Sequence, residues 1–190
     1  MQLIGIWTGM LFLISLLNLG AFDFKLLPVQ IWFASYIIYP IMAVWMTIRQ
    51  SHRMDAADLP GLELGSGARG FLLAQGILFS LVAALLFFAP AFMSTLWPWK
   101  VTPVLAQMYA GPLLSYGLGS LLFARQTKWM GVRAILPGML IFSAVTVIIS
   151  FVHIGLFSFT EVADLLWFGW FMIASLILAL LTFRAIQPSA

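Results

Sequence analysis

Six apolar stretches separated by short polar breaks dominate the chain: residues 3–21, 28–49, 70–95, 103–125, 132–156 and 162–185. Each is long enough to cross a hydrocarbon core of roughly 30 Å, which takes about 20 apolar residues in a helix. The runs from Leu3 to Gly20 and from Ile31 to Ile48 are interrupted only by Gly, Ser, Thr, Asn, Tyr and Pro, all of which helices in lipid tolerate. The pattern predicts an all-α polytopic membrane protein with six transmembrane helices, arranged as three helical hairpins over residues 1–50, 68–126 and 131–187 of a single transmembrane domain, 1–190. The first stretch lacks a cationic leader and has no small-x-small cleavage site ahead of Phe22-Asp23-Phe24, so it is expected to stay as a helix rather than be removed as a signal peptide. Polar sequence of any length occurs once, from Gln50 to Gly67, where His52, Arg53, Asp55, Asp58 and Glu63 accompany Leu59-Pro60-Gly61 and Gly65-Ser66-Gly67. This linker, the predicted loop 50–69, reads as solvated, with room for a short interfacial helix.

Composition agrees with the pattern. Hydrophobic residues make up 63% of the chain and charged residues 8%, whereas about a quarter of a soluble domain is charged. Cysteine is absent, which excludes disulfides, iron–sulfur ligation and thiol nucleophiles together. The net charge of +3 is basic, but Lys and Arg sit at helix ends rather than in one patch, so membrane topology explains them and nucleic acid is not an expected partner. Arg49, Arg53, Arg69, Arg125, Lys128, Arg133 and Arg184 fall on one side of the predicted membrane, against Lys25 and Lys100 on the other. Cytoplasmic loops carry the cationic excess, so an inner-membrane location with both termini and the 50–69 loop in the cytoplasm is expected.

The outer turns resemble one another. They read Phe22-Asp23-Phe24-Lys25, Trp97-Pro98-Trp99-Lys100 and Phe157-Ser158-Phe159-Thr160, each aromatic-x-aromatic, with Pro28, Pro103 and Ala163 following. An arginine comes 25, 26 and 25 residues after the second aromatic (Arg49, Arg125, Arg184), and Trp32 and Trp167 each fall eight residues after theirs. Asn18-Leu19-Gly20 matches His153-Ile154-Gly155. These coincidences predict internal repetition. Each hairpin starts and ends on the same side, so the repeats would be parallel, related by an axis along the membrane normal. An interfacial aromatic belt and an arginine at each inner helix end would produce part of the same spacing.

Aromatic rings suit the headgroup level and a neighbouring Lys can meet lipid phosphate, so Phe22, Phe24, Lys25, Trp97, Trp99 and Lys100 are expected to be interfacial anchors. Thr102 is placed to cap the helix that Pro103 opens. The stretch Trp97-Pro98-Trp99-Lys100-Val101-Thr102-Pro103, with Ala106 after it, resembles a turn found in uncharacterised small polytopic bacterial membrane proteins, a likeness of about 30 residues that implies no established activity.

Candidate chemistry is sparse. The six stretches hold no Lys, Arg, Asp or Glu away from their ends, which argues against a proton-coupled carrier, a charged ion filter or an intramembrane carboxylate enzyme. His153 is the one histidine in a predicted membrane helix. It could ligate a haem or chlorin metal, work with Glu161 or Asp164, or simply bond a neighbouring helix. Glu161 and Asp164 are one turn apart and could act as a pair, although acidic residues also suit a helix N-terminus. Asn18, Gln75, Gln107, Tyr109, Ser115 and Tyr116, beside Ala110-Gly111, Gly117 and Gly119, mark the interior: either a pocket for a lipid, quinone or other apolar ligand, or a packing seam between helices. Gly111-Pro112 is expected to kink the fourth helix.

Three functional classes follow. The first is a non-catalytic accessory, scaffold or assembly subunit of a larger membrane complex, or a lipid-binding protein, partnered by the bilayer and other membrane subunits. The second is a carrier or binding protein for a neutral or hydrophobic small molecule. The third is a haem- or chlorophyll-type pigment-binding subunit using His153. No particular cofactor is specified by the residues.

Overall fold

The computed structural model describes residues 2–50 and 63–186, so His52, Arg53, Asp55, Asp58 and the proposed interfacial helix around Leu59-Pro60-Gly61 lie outside the described residues. The described chain is all-helical. Its helices are α1 (Gln2–Leu17), α2 (Leu27–Gln50), α3 (Ser66–Phe88), α4 (Pro90–Leu96), α5 (Pro103–Ala124), α6 (Trp129–Arg133), α7 (Leu136–Val152) and α8 (Val162–Ile186). Among the described residues the one β-type pairing is an isolated bridge between Glu63 and Lys128. Three helices are long and apolar enough to cross a membrane: Leu27–Arg49, Ser66–Phe88 and Val162–Ala185. Leu3–Leu17 and Leu136–Val152 are apolar but shorter.

Several apolar stretches are divided where the sequence supplies a reason. The stretch 70–95 breaks at Ala89, because Pro90 has no amide hydrogen and disfavours helical geometry in the residue before it. The stretch 3–21 ends its α-helix at Leu17 and continues as a 3-10 turn, Leu19–Ala21, and 132–156 ends α7 at Val152 before a matching 3-10 turn, Ile154–Leu156. Pro112, by contrast, lies inside one continuous α5.

The chain forms two compact units. The first contains α1 and α2 with Leu73–Ser94 and Val101–Leu122. Here α5 is packed on its small-residue faces. A Cβ at Gly117 would lie 2.6 Å from the backbone nitrogen of Ser80, and one at Gly76 would lie 2.6 Å from the Leu121 side chain and 2.9 Å from its backbone nitrogen. Such absent side chains allow helix backbones to approach closely where no hydrophobic force drives helices together. Against α1, the Ser115 hydroxyl donates to the Leu3 carbonyl at 2.7 Å. Ala106 and Ala110 on the same helix are fully buried.

The second unit contains Thr95–Lys100 and the chain from Phe123 onward, with the segment ending at Leu72. The Leu64 amide donates to the Thr127 carbonyl at 2.7 Å, and Arg69 Nε to the Ala124 carbonyl at 3.3 Å. A guanidinium on the last carbonyl of α5 satisfies an orphan acceptor and complements the helix dipole.

The two long hairpins close by the same devices. Trp32 donates its indole N–H to Ser15 Oγ at 3.0 Å, and Ser15 passes its own proton to the Leu11 carbonyl. Trp167 donates to Ser150 Oγ, also at 3.0 Å, and Ser150 bonds the Thr146 carbonyl. Asn18 (φ −121°, ψ 34°) and His153 (φ −104°, ψ 32°) occupy the same backbone position before the two 3-10 turns. Both aromatic-x-aromatic turns then clamp one phenylalanine of the following helix: Phe22 and Phe24 lie 5.2 and 4.8 Å from Phe33, and Phe157 and Phe159 lie 4.9 and 5.1 Å from Phe168.

Placing a methyl group at Gly117 should force α3 and α5 apart. Gly117→Ala is expected to cost about 1–3 kcal/mol of stability, whereas Gly138→Ala, with open space around the new Cβ, should be neutral. Thermal unfolding in mild detergent, followed by helical circular dichroism, checks the pair. Equal midpoints would disprove the close contact.

Candidate functional site

The polar interior residues are tied to one another. Asn18 Nδ2 donates to Gln107 Oε1 at 2.8 Å and to the Ile14 carbonyl at 2.9 Å, and Gln107 Nε2 donates to the Phe87 carbonyl at 2.9 Å. This links α1, α5 and the C-terminal turn of α3, whose carbonyls have no partner within the helix. Gln107 stands eight residues after Trp99, as Trp32 and Trp167 do after Phe24 and Phe159, and like them it bonds across to the preceding helix.

A second knot is fully buried. Gln75 Nε2 donates to Ser120 Oγ at 2.9 Å, Ser120 donates to the Tyr116 carbonyl, and the Tyr116 hydroxyl donates back to Gln75 Oε1 at 3.2 Å. Phe79 stands edge-on to the Tyr116 ring at 5.1 Å. In an apolar interior an unpaired amide costs several kcal/mol, by roughly 2–7 depending on reference state, so such closed loops are the stable way to hold one. Gln75, Gln107, Asn18 and Tyr116 thus meet as structural ties, and Tyr109 is half-buried on α5.

His153 is exposed at the C-terminal cap of α7, its backbone amide bonded to the Ile149 carbonyl. Among the described residues no group of three His, Cys, Asp or Glu side chains is arranged to hold a metal ion. Glu161 is exposed, while Asp164 is 1% exposed and folded back on its own turn. Asp164 Oδ2 accepts from the amides of Ser158 (2.8 Å) and Phe159 (3.0 Å) and from the Ser158 hydroxyl (3.2 Å). Phe159 has φ 56°, a left-handed conformation that costs a non-glycine residue about 1–3 kcal/mol. Charge-assisted bonds and the packing of its ring on Phe168 hold it there.

The outer-turn aromatics are more than surface anchors. Trp97 and Trp99 are half-buried and lie edge-on to Trp167 at 5.5 and 5.0 Å, while Trp99 also meets Phe157 at 5.7 Å. Lys25 and Lys100 are exposed beside these turns. The Leu105 amide donates to Thr102 Oγ1 at 3.3 Å, so Thr102 caps α5. What sequence reading missed is the receiving residue in each clamp, Phe33, Phe168 or Trp167. For Phe33 and Phe168 the signal was an aromatic nine residues beyond the second aromatic of the turn, whereas no local spacing links Trp97 and Trp99 to Trp167.

The described residues of the first unit also form open grooves. One, of about 480 Å³, lies between α1 and α2 and is lined by Ile4, Trp7, Thr8, Pro28, Ile31, Trp32, Ser35, Tyr36 and Tyr39. The other, of about 520 Å³, is lined almost wholly by aliphatic groups around Pro40, Ala43, Val44 and Ile48. Its one hydroxyl, Thr47, is bonded to the Ala43 carbonyl.

Comparison with protein-family models, curated proteins and solved structures gave no match.

The Asn18–Gln107 pair should show a coupling of about 0.5–1.5 kcal/mol in a double-mutant cycle built from Asn18→Leu and Gln107→Leu, the range found for interhelical bonds in membrane proteins. Strict additivity of the two unfolding free energies would refute it. Asp164→Ala should loosen the left-handed turn at Phe159 and lower the thermal midpoint, while Glu161→Ala should leave it within error. The reverse order would show that the turn does not depend on the buried carboxylate.

Proposed function

We propose that the protein is a non-catalytic, six-pass membrane subunit that packs against other membrane proteins and lipid, an accessory or assembly component of a larger complex. One observation carries this reading: the side-chain amides of Asn18, Gln75 and Gln107 and the hydroxyls of Ser120 and Tyr116 are tied up in the Asn18–Gln107–Phe87 and Gln75–Ser120–Tyr116 knots. In each unit the helices expose large apolar residues, Ile41 and Leu81 in the first and Leu166, Leu176 and Phe183 in the second. Such surfaces suit lipid and apolar partner helices.

In this reading each of α2, α3, α5 and α8 crosses the membrane, and the shorter α1 and α7 cross with the 3-10 turns that prolong them. The three hairpins are parallel repeats. Supporting this, the first and last share the Trp–Ser tie, the 3-10 corner and the phenylalanine clamp at matching positions 135 residues apart. The middle hairpin keeps the turn and the cross-helix bond but replaces the Trp with Gln107. Both termini and the 50–69 loop face the cytoplasm across the inner membrane, as the arginine distribution requires.

The absence of cysteine makes the topology directly testable. Gly20→Cys, Gly155→Cys and Gly65→Cys introduce thiols at exposed positions with open space around the new side chain. With a membrane-impermeant maleimide, the first two should label from the periplasmic side of intact cells and the third only in inverted vesicles. Labelling of Gly20→Cys and Gly155→Cys from opposite sides would end the parallel-hairpin reading. A lone, monodisperse protein that turned over a substrate would end the accessory reading.

A further inference from the structure

We infer that the groove between α1 and α2 is a binding site for a quinone-class ligand, a planar ring carrying acceptor oxygens on an apolar tail. The inference goes beyond the accessory role and does not depend on it. It rests on an internal comparison and on three hydroxyl groups.

The comparison sets the first hairpin against the last. Positions 135 residues apart share the Trp–Ser tie and the ring clamp, so the groove residues have counterparts in α7 and α8. Ile4 is 47% exposed and Tyr39 51%, whereas Met139 and Ala174, their counterparts, are 5% and 1% exposed. Tyr36 is half-buried, and its counterpart Phe171 is buried. On the last hairpin Trp97 and Trp99 stand edge-on to Trp167, and Phe171 packs on Trp167 at 4.7 Å. On the first hairpin Trp32 touches Tyr36 at 4.5 Å and borders the open groove. Trp32, the counterpart of Trp167, has no such tryptophan pair against it among the described residues, and the groove walls, Trp7, Trp32, Tyr36 and Tyr39, are themselves aromatic. The volume, about 480 Å³, is within the range of roughly 300–1,000 Å³ usual for small-molecule pockets.

The hydroxyls specify the chemistry. Serines and threonines in these helices commonly bond the carbonyl one turn back, as Thr8 on the groove wall and Ser15, Thr47, Thr146, Ser150 and Ser175 elsewhere do. Ser35, Tyr36 and Tyr39 line the groove and make no side-chain hydrogen bond among the described residues. Tyr39 lies 12 residues into α2, about 18 Å along the helix and so near mid-membrane, where water is not available as a partner. Ser35 and Tyr39 are four residues apart on one face, about one turn. Two donors on one face suit a ligand that carries two acceptor oxygens. Buried Ser80 and Thr182 hydroxyls also lack partners, but each is solitary and lines neither groove. An acyl chain would fill the aliphatic groove equally well and would leave these three donors unpaired.

The test uses the full chain in lipid nanodiscs, titrated with decylubiquinone while tryptophan fluorescence is read. Quenching should contain a saturable component. Tyr36→Phe combined with Tyr39→Phe keeps both rings and should weaken it at least tenfold, and Ser35→Trp, which fills the groove, should abolish it. Circular dichroism of each variant reports that the helices are retained. Quenching without saturation, or an unchanged dissociation constant in the double variant, would overturn the proposal. Displacement of the quinone by oleic acid, with the double variant binding oleic acid as well as the parent does, would identify an acyl-chain slot and overturn it too.

Discussion

A polar group inside an apolar medium must find its partner within the chain, and the construction of this protein follows from that constraint. Among the described residues seven serine and threonine hydroxyls return their protons to the carbonyl one turn earlier. Where a residue has more capacity than its own helix can satisfy, it reaches a neighbour, as Asn18 reaches Gln107 and Gln75 reaches Ser120. Such bonds contribute modestly one by one, on the order of 1 kcal/mol, yet the cost of leaving them unmade is larger, so they fix which helix faces meet.

Close approach makes those bonds possible. Gly76 and Gly117 remove the side chains that would hold α3 and α5 apart, and the Gln75–Ser120–Tyr116 knot occupies the same contact. Packing and polar satisfaction therefore select one register together. At the turns a different economy operates. Rings from aromatic-x-aromatic segments are placed on Phe33, Phe168 and Trp167, and a buried carboxylate, Asp164, holds the backbone in the left-handed conformation that this requires at Phe159.

Against this background the groove of the first hairpin is an exception. Of its hydroxyls Thr8 is returned to the backbone but Ser35, Tyr36 and Tyr39 are not, and among the described residues Trp32 has no tryptophan pair laid on it like the one that Trp97 and Trp99 lay on Trp167. The proposed repeat offers a simple route to such a site, in which one copy of the hairpin keeps the face covered for structure while another leaves it open. In this view the proposed scaffold and the proposed ligand site use the same hairpin design for different ends.

Apolar run length, proline position and the scarcity of charge are properties of the chain itself, and from them the sequence alone determined the helical class, the membrane-compatible helices and the Thr102 cap. Helix ends near Ala89 and after Leu17 were less legible, because they depend on local geometry at Pro90 and on 3-10 turns rather than on hydropathy. The sequence could name Asn18, Gln75, Gln107 and Tyr116 as interior polar residues, but not whether they line a pocket or a seam. That depends on which amide faces which carbonyl across helices as many as 89 residues apart in the chain, and only the tertiary structure decided it. The same holds for the groove: Ser35, Tyr36 and Tyr39 look like ordinary residues of an apolar helix until the fold shows that their hydroxyls make no side-chain hydrogen bond among the described residues.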